Sequence, residues 1–265
     1  MSRVLITGAS RGIGRGIAEA LTAAGHEVVA TARDVSMLTD VPAVARLRLD
    51  VTDENSVNEA VAAAGPIDVL VSNAGATVRA PLETVPLAEV QRLFELNTFG
   101  ALRVAQAVMP GMRERGAGKL IFISSIQGRI AIPLIGPYAA SKWALEAIAE
   151  TLAIEASHFG ISVHVLQPGA VSSGGAERAK VFLDEDNPYR PLLDQLMGFR
   201  SASVTVEEAR PRLVFERTNL RRNSRLGDAQ FFGGAGKAFQ SANFQESSEL
   251  LEIHLRKRLS WWLVR

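Results

Sequence analysis

Six short, almost uninterrupted apolar runs leave this chain few ways to fold. They lie at 3–7, 27–31, 45–49, 68–72, 119–124 and 162–167, and amphipathic stretches at 14–24, 53–63, 87–115 and 138–159 separate them. A strand that is apolar on both faces must be covered on both faces, and a parallel sheet wrapped by helices does this. No repeat or linker interrupts the first 170 residues, and a hydrophobic fraction of 47% supports a substantial core. The pattern predicts an α/β fold built as one doubly wound parallel sheet.

The first joint between strand and helix is rich in glycine: TGASRGIG, Thr7 to Gly14. Backbone N–H groups and the helix dipole approach a pyrophosphate closely at such a joint. The plain alternative is that Gly8, Gly12 and Gly14 only shape a tight turn. Their position directly after the first strand favours dinucleotide binding. The end of the second strand selects the dinucleotide. It reads VVATARD, which sets Arg33 where a 2′-phosphate would lie, with Arg11 in the glycine turn. Two arginines there favour NADP(H), whereas an acidic residue would favour NAD. Asp34 follows at once and resembles such a selector, and Arg33 as a solvated surface charge is the competing reading.

Tyr138 and Lys142 in YAASK share a helix face at four-residue spacing. A free tyrosine, with a pKa of about 10, is a poor base near neutrality. A neighbouring ammonium lowers that value, which suits exchange between a carbonyl and an alcohol. Alone, the pair reads better as a packing tyrosine and a surface cation. Ser124 and Ser125 end the fifth apolar run and Asn73 ends the fourth, all at the carboxyl edge where ligands bind in such sheets. Asn97 stands inside a helical stretch, where asparagine is locally unfavourable.

The ordered set TGASRGIG, LDVTD, NAG, Asn97, SSI, YAASK and QPG resembles the short-chain dehydrogenase/reductase family over about residues 3–170. The resemblance implies a Rossmann-type fold carrying a Ser125–Tyr138–Lys142 site completed by Asn97. Ser125 would orient the substrate and Tyr138 would be the acid/base. Lys142 would bind the nicotinamide ribose and lower the tyrosine pKa, and Asn97 would hold a water in a proton relay. It assigns Gly8, Ser10, Arg11, Gly12, Ile13 and Gly14 to the phosphate turn. Asp50 and Val51 would flank the adenine, and Asn73 and Gly75 would line the adenosine and ribose side. Pro168 and Gly169 would hold the carboxamide. The family often has a threonine after that Pro-Gly; here Ser172 or Ser173 must substitute. ATARD with VHVLQPGAV is similar to NADP-preferring members that act on ketones, retinoids or steroids. Expected, then, is hydride transfer between nicotinamide and an apolar ketone, aldehyde or secondary alcohol. A regulator that binds NADP(H) without chemistry is the alternative.

The chain changes character after Gly169. Apolar side chains between Val181 and Phe199 suggest a substrate lid at about 172–205, or a helix packed on the sheet. ARPRLVFE is similar to the family's final core strand. We therefore expect a single catalytic domain at 1–216, followed by an atypical C-terminal tail at 217–265. That tail matches nothing in the family pattern, as an unusual extension or a shifted reading frame would produce. Its basic, tryptophan-bearing end, LRKRLSWWLVR, fits a membrane-surface anchor but fits better a helix packing Trp261 and Trp262 on protein.

Other classes are disfavoured. No cysteine is present, which removes disulfides, thiolate metal sites and cysteine nucleophiles. His26, His158, His164 and His254 have no metal-like spacing, so no metal is expected. A net charge of +1 gives no reason to expect nucleic acid. The chain lacks the roughly 18 consecutive apolar residues of a membrane span and any charged leader before Val4, so no membrane partner and a cytoplasmic location are expected. The resemblance implies a homo-dimer or homo-tetramer through the two long helices.

Overall fold

The computed structural model describes residues 1–169, 171 and 178–194. Ser172, Ser173, much of the expected lid, ARPRLVFE and the 217–265 extension lie outside the described residues.

Six parallel strands form the sheet: β1 Arg3–Ile6, β2 Glu27–Ala32, β3 Ala45–Arg48, β4 Val69–Ser72, β6 Gly118–Ile123 and β7 Ile161–Leu166. Their order is β3-β2-β1-β4-β6-β7. Side chains alternate across the sheet. Leu5, Val29, Leu70, Leu120 and Phe122 enter one core. Val4, Ile6, Val28, Ala30, Val71 and Ile121 enter the other. The first core is closed by α2 Glu54–Ala64, α4 Gly100–Glu114 and α5 Gly136–Glu155. The second is closed by α1 Gly12–Ala23, together with Leu38 and Val41. The central strands are buried on both faces as their sequence requires. β3 and β7, the outermost strands among the described residues, are only half-buried.

The predicted helix at 87–115 is one helical rod in three pieces. α3 Leu87–Phe94 passes through a π-helical turn, Glu95–Phe99, into α4. A second difference is a small parallel pair, β5 Val78–Arg79 with β8 Lys180–Val181. It ties the segment after β4 to the 178–194 segment, and two residues per strand were too few to leave a pattern in the sequence. Within that segment Leu183 and Leu193 pack on Leu134, with Tyr189 and Leu192 beside them. Of the described lid residues, these apolar side chains cover one another and the loop before α5.

Strand order reverses at β1 and β4, whose following helices leave toward opposite faces. The carboxyl ends of those strands therefore diverge and open a crevice.

Candidate active site

That crevice has a volume of about 440 Å³. The glycine turn forms one wall, through Gly8, Ser10, Arg11, Gly12 and Ile13. Gly8 and Gly12 have φ of 66° and 55°, the left-handed region that a side chain resists. Gly14 does not wall the crevice; a Cβ there would stand 2.4 Å from the Gly8 carbonyl oxygen. Its lack of a side chain is what seats α1 against the turn. Arg11 begins that helix without a side-chain cap, so first-turn N–H groups and the helix dipole stay available at the crevice. This cradle fits a pyrophosphate.

Asn73 also walls the crevice, yet its amide is spent on the scaffold. Nδ2 donates to the Thr7 and Gly8 carbonyls at 2.9 and 3.1 Å, while Thr7 Oγ1 accepts from Asn73 N and Ala74 N. β4 is thereby clamped to the glycine turn. Gly75 continues the wall, where a Cβ would come 3.1 Å from Asn97 Oδ1 and 3.7 Å from Lys142 Nζ.

At the far end Arg33 is exposed just beyond β2, beside Asp50 and Val51. Asp34 is committed locally: its carboxylate accepts from Ser36 N at 3.0 Å and Ser36 Oγ at 2.7 Å, which holds it below the usual carboxylate range. Burial pushes Asp50 up, but hydrogen bonds from Thr52 and the charges of Arg33 and Arg48 outweigh it and leave it lowered. The cationic character of this end belongs to the arginines.

The other end holds the polar set. The π-turn buries Asn97, whose Oδ1 accepts from Ala76 N at 2.9 Å. Its Nδ2 donates to Ala76 O at 2.9 Å and to Ser141 Oγ at 3.0 Å. Every polar atom of that amide is engaged, so the side chain braces the β4 exit against α5. Ser141 in turn donates to the Tyr138 carbonyl at 2.8 Å. Sequence reasoning missed Ser141, although it lies within YAASK, because its role exists only through Asn97.

Tyr138 enters the crevice from the first turn of α5, where Pro137 starts the helix. Burial pushes its phenol up from its ordinary value, and a hydrogen bond with Ser125 pulls it partly back. Ser125 is nearly buried at the end of β6, and its Oγ accepts from Gln127 N at 3.2 Å. Lys142 Nζ stands 5.8 Å from the Tyr138 ring centre and donates to the Ile123 carbonyl at 2.8 Å. Burial pushes this lysine down to about 8, and the carboxylate of Glu146 opposes the fall. Ser124 shares the crevice wall. Pro168 and Gly169 lie just past β7, where the Pro168 carbonyl accepts from Ile126 N at 3.0 Å. They do not wall the crevice, while Met37, Arg92, Leu96 and Arg178, none of them foreseen, do. Among the described residues no cluster of metal-ligating side chains occurs, and no helix is long and apolar enough to cross a membrane.

The chain is similar to known proteins in sequence and fold. A 3-ketodihydrosphingosine reductase of Bacteroides thetaiotaomicron is 40% identical over 182 residues, 67% of each chain. Retinol dehydrogenase 8 of Homo sapiens is 39% identical over 181 residues, 63% of this chain and 58% of its own. Among solved structures, a short-chain dehydrogenase from Streptomyces avermitilis matches with TM-score 0.68 at 37% identity, covering 75% of this chain and 79% of that one. An alcohol dehydrogenase from Thermococcus sibiricus, complexed with 5-hydroxy-NADP, matches with TM-score 0.63 at 31% identity, over 68% and 81%. The family model for short chain dehydrogenases matches residues 2–181, and the six-stranded parallel sheet agrees with it. This chain belongs to the short chain dehydrogenase family and is an oxidoreductase.

Proposed function

We propose that this enzyme uses NADP(H) to interconvert an apolar ketone or aldehyde and its alcohol, with Tyr138 as the acid/base. The carrying observation is that Tyr138, hydrogen-bonded to Ser125 and overlooked by Lys142, shares one crevice with the glycine turn and Arg33. The nicotinamide, when bound, supplies or accepts the hydride. Gly8, Ser10, Arg11, Gly12 and Ile13 would hold its pyrophosphate, and Arg33 with Arg11 the 2′-phosphate. Asp50 and Val51 would flank the adenine, and Asn73 and Gly75 would line the ribose side. Pro168 and Gly169 would meet the carboxamide.

The chain's own work is orientation and proton transfer. The Ser125 hydroxyl orients the substrate oxygen. Tyr138 gives that oxygen its proton in reduction and takes it back in oxidation. Lys142 binds the ribose and favours the phenolate. The Asn97 amide is engaged, so a water in the relay would be taken by its main-chain carbonyl instead. An apolar substrate suits relatives named for a ketosphingoid, a retinol and a steroid. Loss of NADPH absorbance over a panel of ketones, aldehydes and ketosteroids tests this, with NADH and Tyr138→Phe in parallel. Turnover with NADPH, lost in the variant, is expected; NADPH binding without turnover across the panel would favour the silent regulator.

A further inference from the structure

Glu146 is the least explained residue near the crevice. Its side chain is only 3% exposed, on α5 one turn beyond Lys142. Burying a carboxylate is costly unless it is paired and fully hydrogen-bonded. Glu146 is only partly so: Oε2 accepts from Gln167 Nε2 at 2.9 Å and meets Arg129 Nη2 at 3.0 Å, while Oε1 has no protein partner. The neighbouring Ser124 Oγ also lacks a protein partner. Gly128 makes room for both, since a Cβ there would come 2.8 Å from Ser124 Oγ and 2.9 Å from Glu146 Oε1. An apolar residue at 146 would pack here at lower cost, so the charge has another use.

Its partners indicate that use. Arg129 comes from the turn that follows Ser125 and also pairs with Glu150. Gln167 immediately precedes Pro168 and Gly169, and Lys142 is on the same helix face as Glu146. Around Lys142, β6 offers the neutral Ile123 carbonyl, and the β4 exit with the π-turn offers Gly75 and Asn97. On α5 the titratable groups beside Lys142 are Tyr138, one turn before it, and Glu146, one turn after; Glu150 and Glu155 lie further along the helix. The Glu146 carboxylate is the negative charge that acts on the ammonium.

We propose that Glu146 is a positioning residue: clamped by Arg129 and Gln167, it sets a carboxylate one helical turn from Lys142 and joins the segments carrying Ser125, Lys142 and Pro168–Gly169. The proposal rests on the catalytic reading of Lys142. Of the two partners, Arg129 ties the carboxylate to the turn after Ser125, while Gln167 passes its position to the β7 exit. Without the carboxylate, Lys142 loses its proton within the working pH range, and the basic limb of activity moves to lower pH.

The test follows the ¹³Cε signals of the five lysines through a pH titration of the full-length, cofactor-free protein, with Lys142 assigned by its loss in Lys142→Met. In Glu146→Gln, an isosteric change that retains an acceptor for Arg129 and Gln167, the Lys142 midpoint should fall by roughly one pH unit. The basic limb of kcat should fall with it, and Glu146→Asp should restore both. An unmoved Lys142 midpoint in Glu146→Gln, or a midpoint that Glu146→Asp fails to restore, overturns the link between Glu146 and Lys142. A lowered midpoint alongside a fully active Lys142→Met overturns the catalytic reading instead, and with it the positioning role.

Discussion

At Tyr138 two influences oppose each other, and both come from neighbours. Burial favours the neutral phenol, and the Ser125 hydrogen bond favours its ionised form. If Tyr138 is the proton donor, as proposed, its hydroxyl should matter greatly. Tyr138→Phe is expected to lower kcat by roughly 10²–10⁴-fold, while NADPH affinity from fluorescence titration stays near the parent value. Arg33 is exposed, so on the proposed reading it serves a ligand phosphate and adds little to folding. Arg33→Ala should weaken NADPH binding about tenfold, a loss of about 1.4 kcal/mol, and leave NADH binding and the melting temperature unchanged. Equal losses for both cofactors would defeat the assignment of Arg33 as selector. Both residues were legible in the sequence because local signals mark them, a motif for one and a strand end for the other. Ser141 and Glu146 were not legible. Their importance arises from Asn97, Arg129 and Gln167, which are remote in the chain and meet them only in the fold.

Among the elements, the π-turn at Glu95–Phe99 shows how one residue reshapes a helix. An asparagine inside a helical pattern signals a conflict, and the structure resolves it with a wider turn that turns Asn97 onto Ala76 and Ser141. Asn97→Ala would strand the buried partners of that amide. It should destabilise the protein by about 2 kcal/mol or more in urea denaturation and lower kcat through displacement of α5. An unaltered unfolding midpoint would show that the brace carries no energy. Gly14 is the corresponding test on α1. A Cβ facing the Gly8 carbonyl at 2.4 Å must push the helix off the turn, so Gly14→Ala should cost about 1–3 kcal/mol and sharply weaken dinucleotide binding. A spacing of glycines marks the turn in sequence, but which glycine faces the ligand and which faces the helix depends on how α1 docks.

On the scale of the whole molecule, the site stores a cost. Lys142 titrates at about 8 in the fold, against 10.5 for an ordinary lysine, so the unfolded chain takes up a proton first as pH falls. This group therefore weakens the cofactor-free fold progressively from about pH 10.5 to about pH 8, and the penalty is constant below that range. Lys142→Met should gain thermal stability relative to the parent as pH is lowered through the same window. A stability difference independent of pH there would contradict the depressed value. The sequence by itself determined the parallel sheet, the glycine turn, and the Ser125–Tyr138–Lys142 set, because apolar periodicity and short fixed spacings are local properties of a chain. Only the tertiary structure decided that Asn73 and Asn97 spend their amides as braces, that Asp34 folds onto Ser36, and that Glu146 lies buried behind Lys142. Hydrogen bonds and desolvation depend on partners distant in sequence, and those partners exist only once β4, the π-turn, α5 and β7 converge on one crevice.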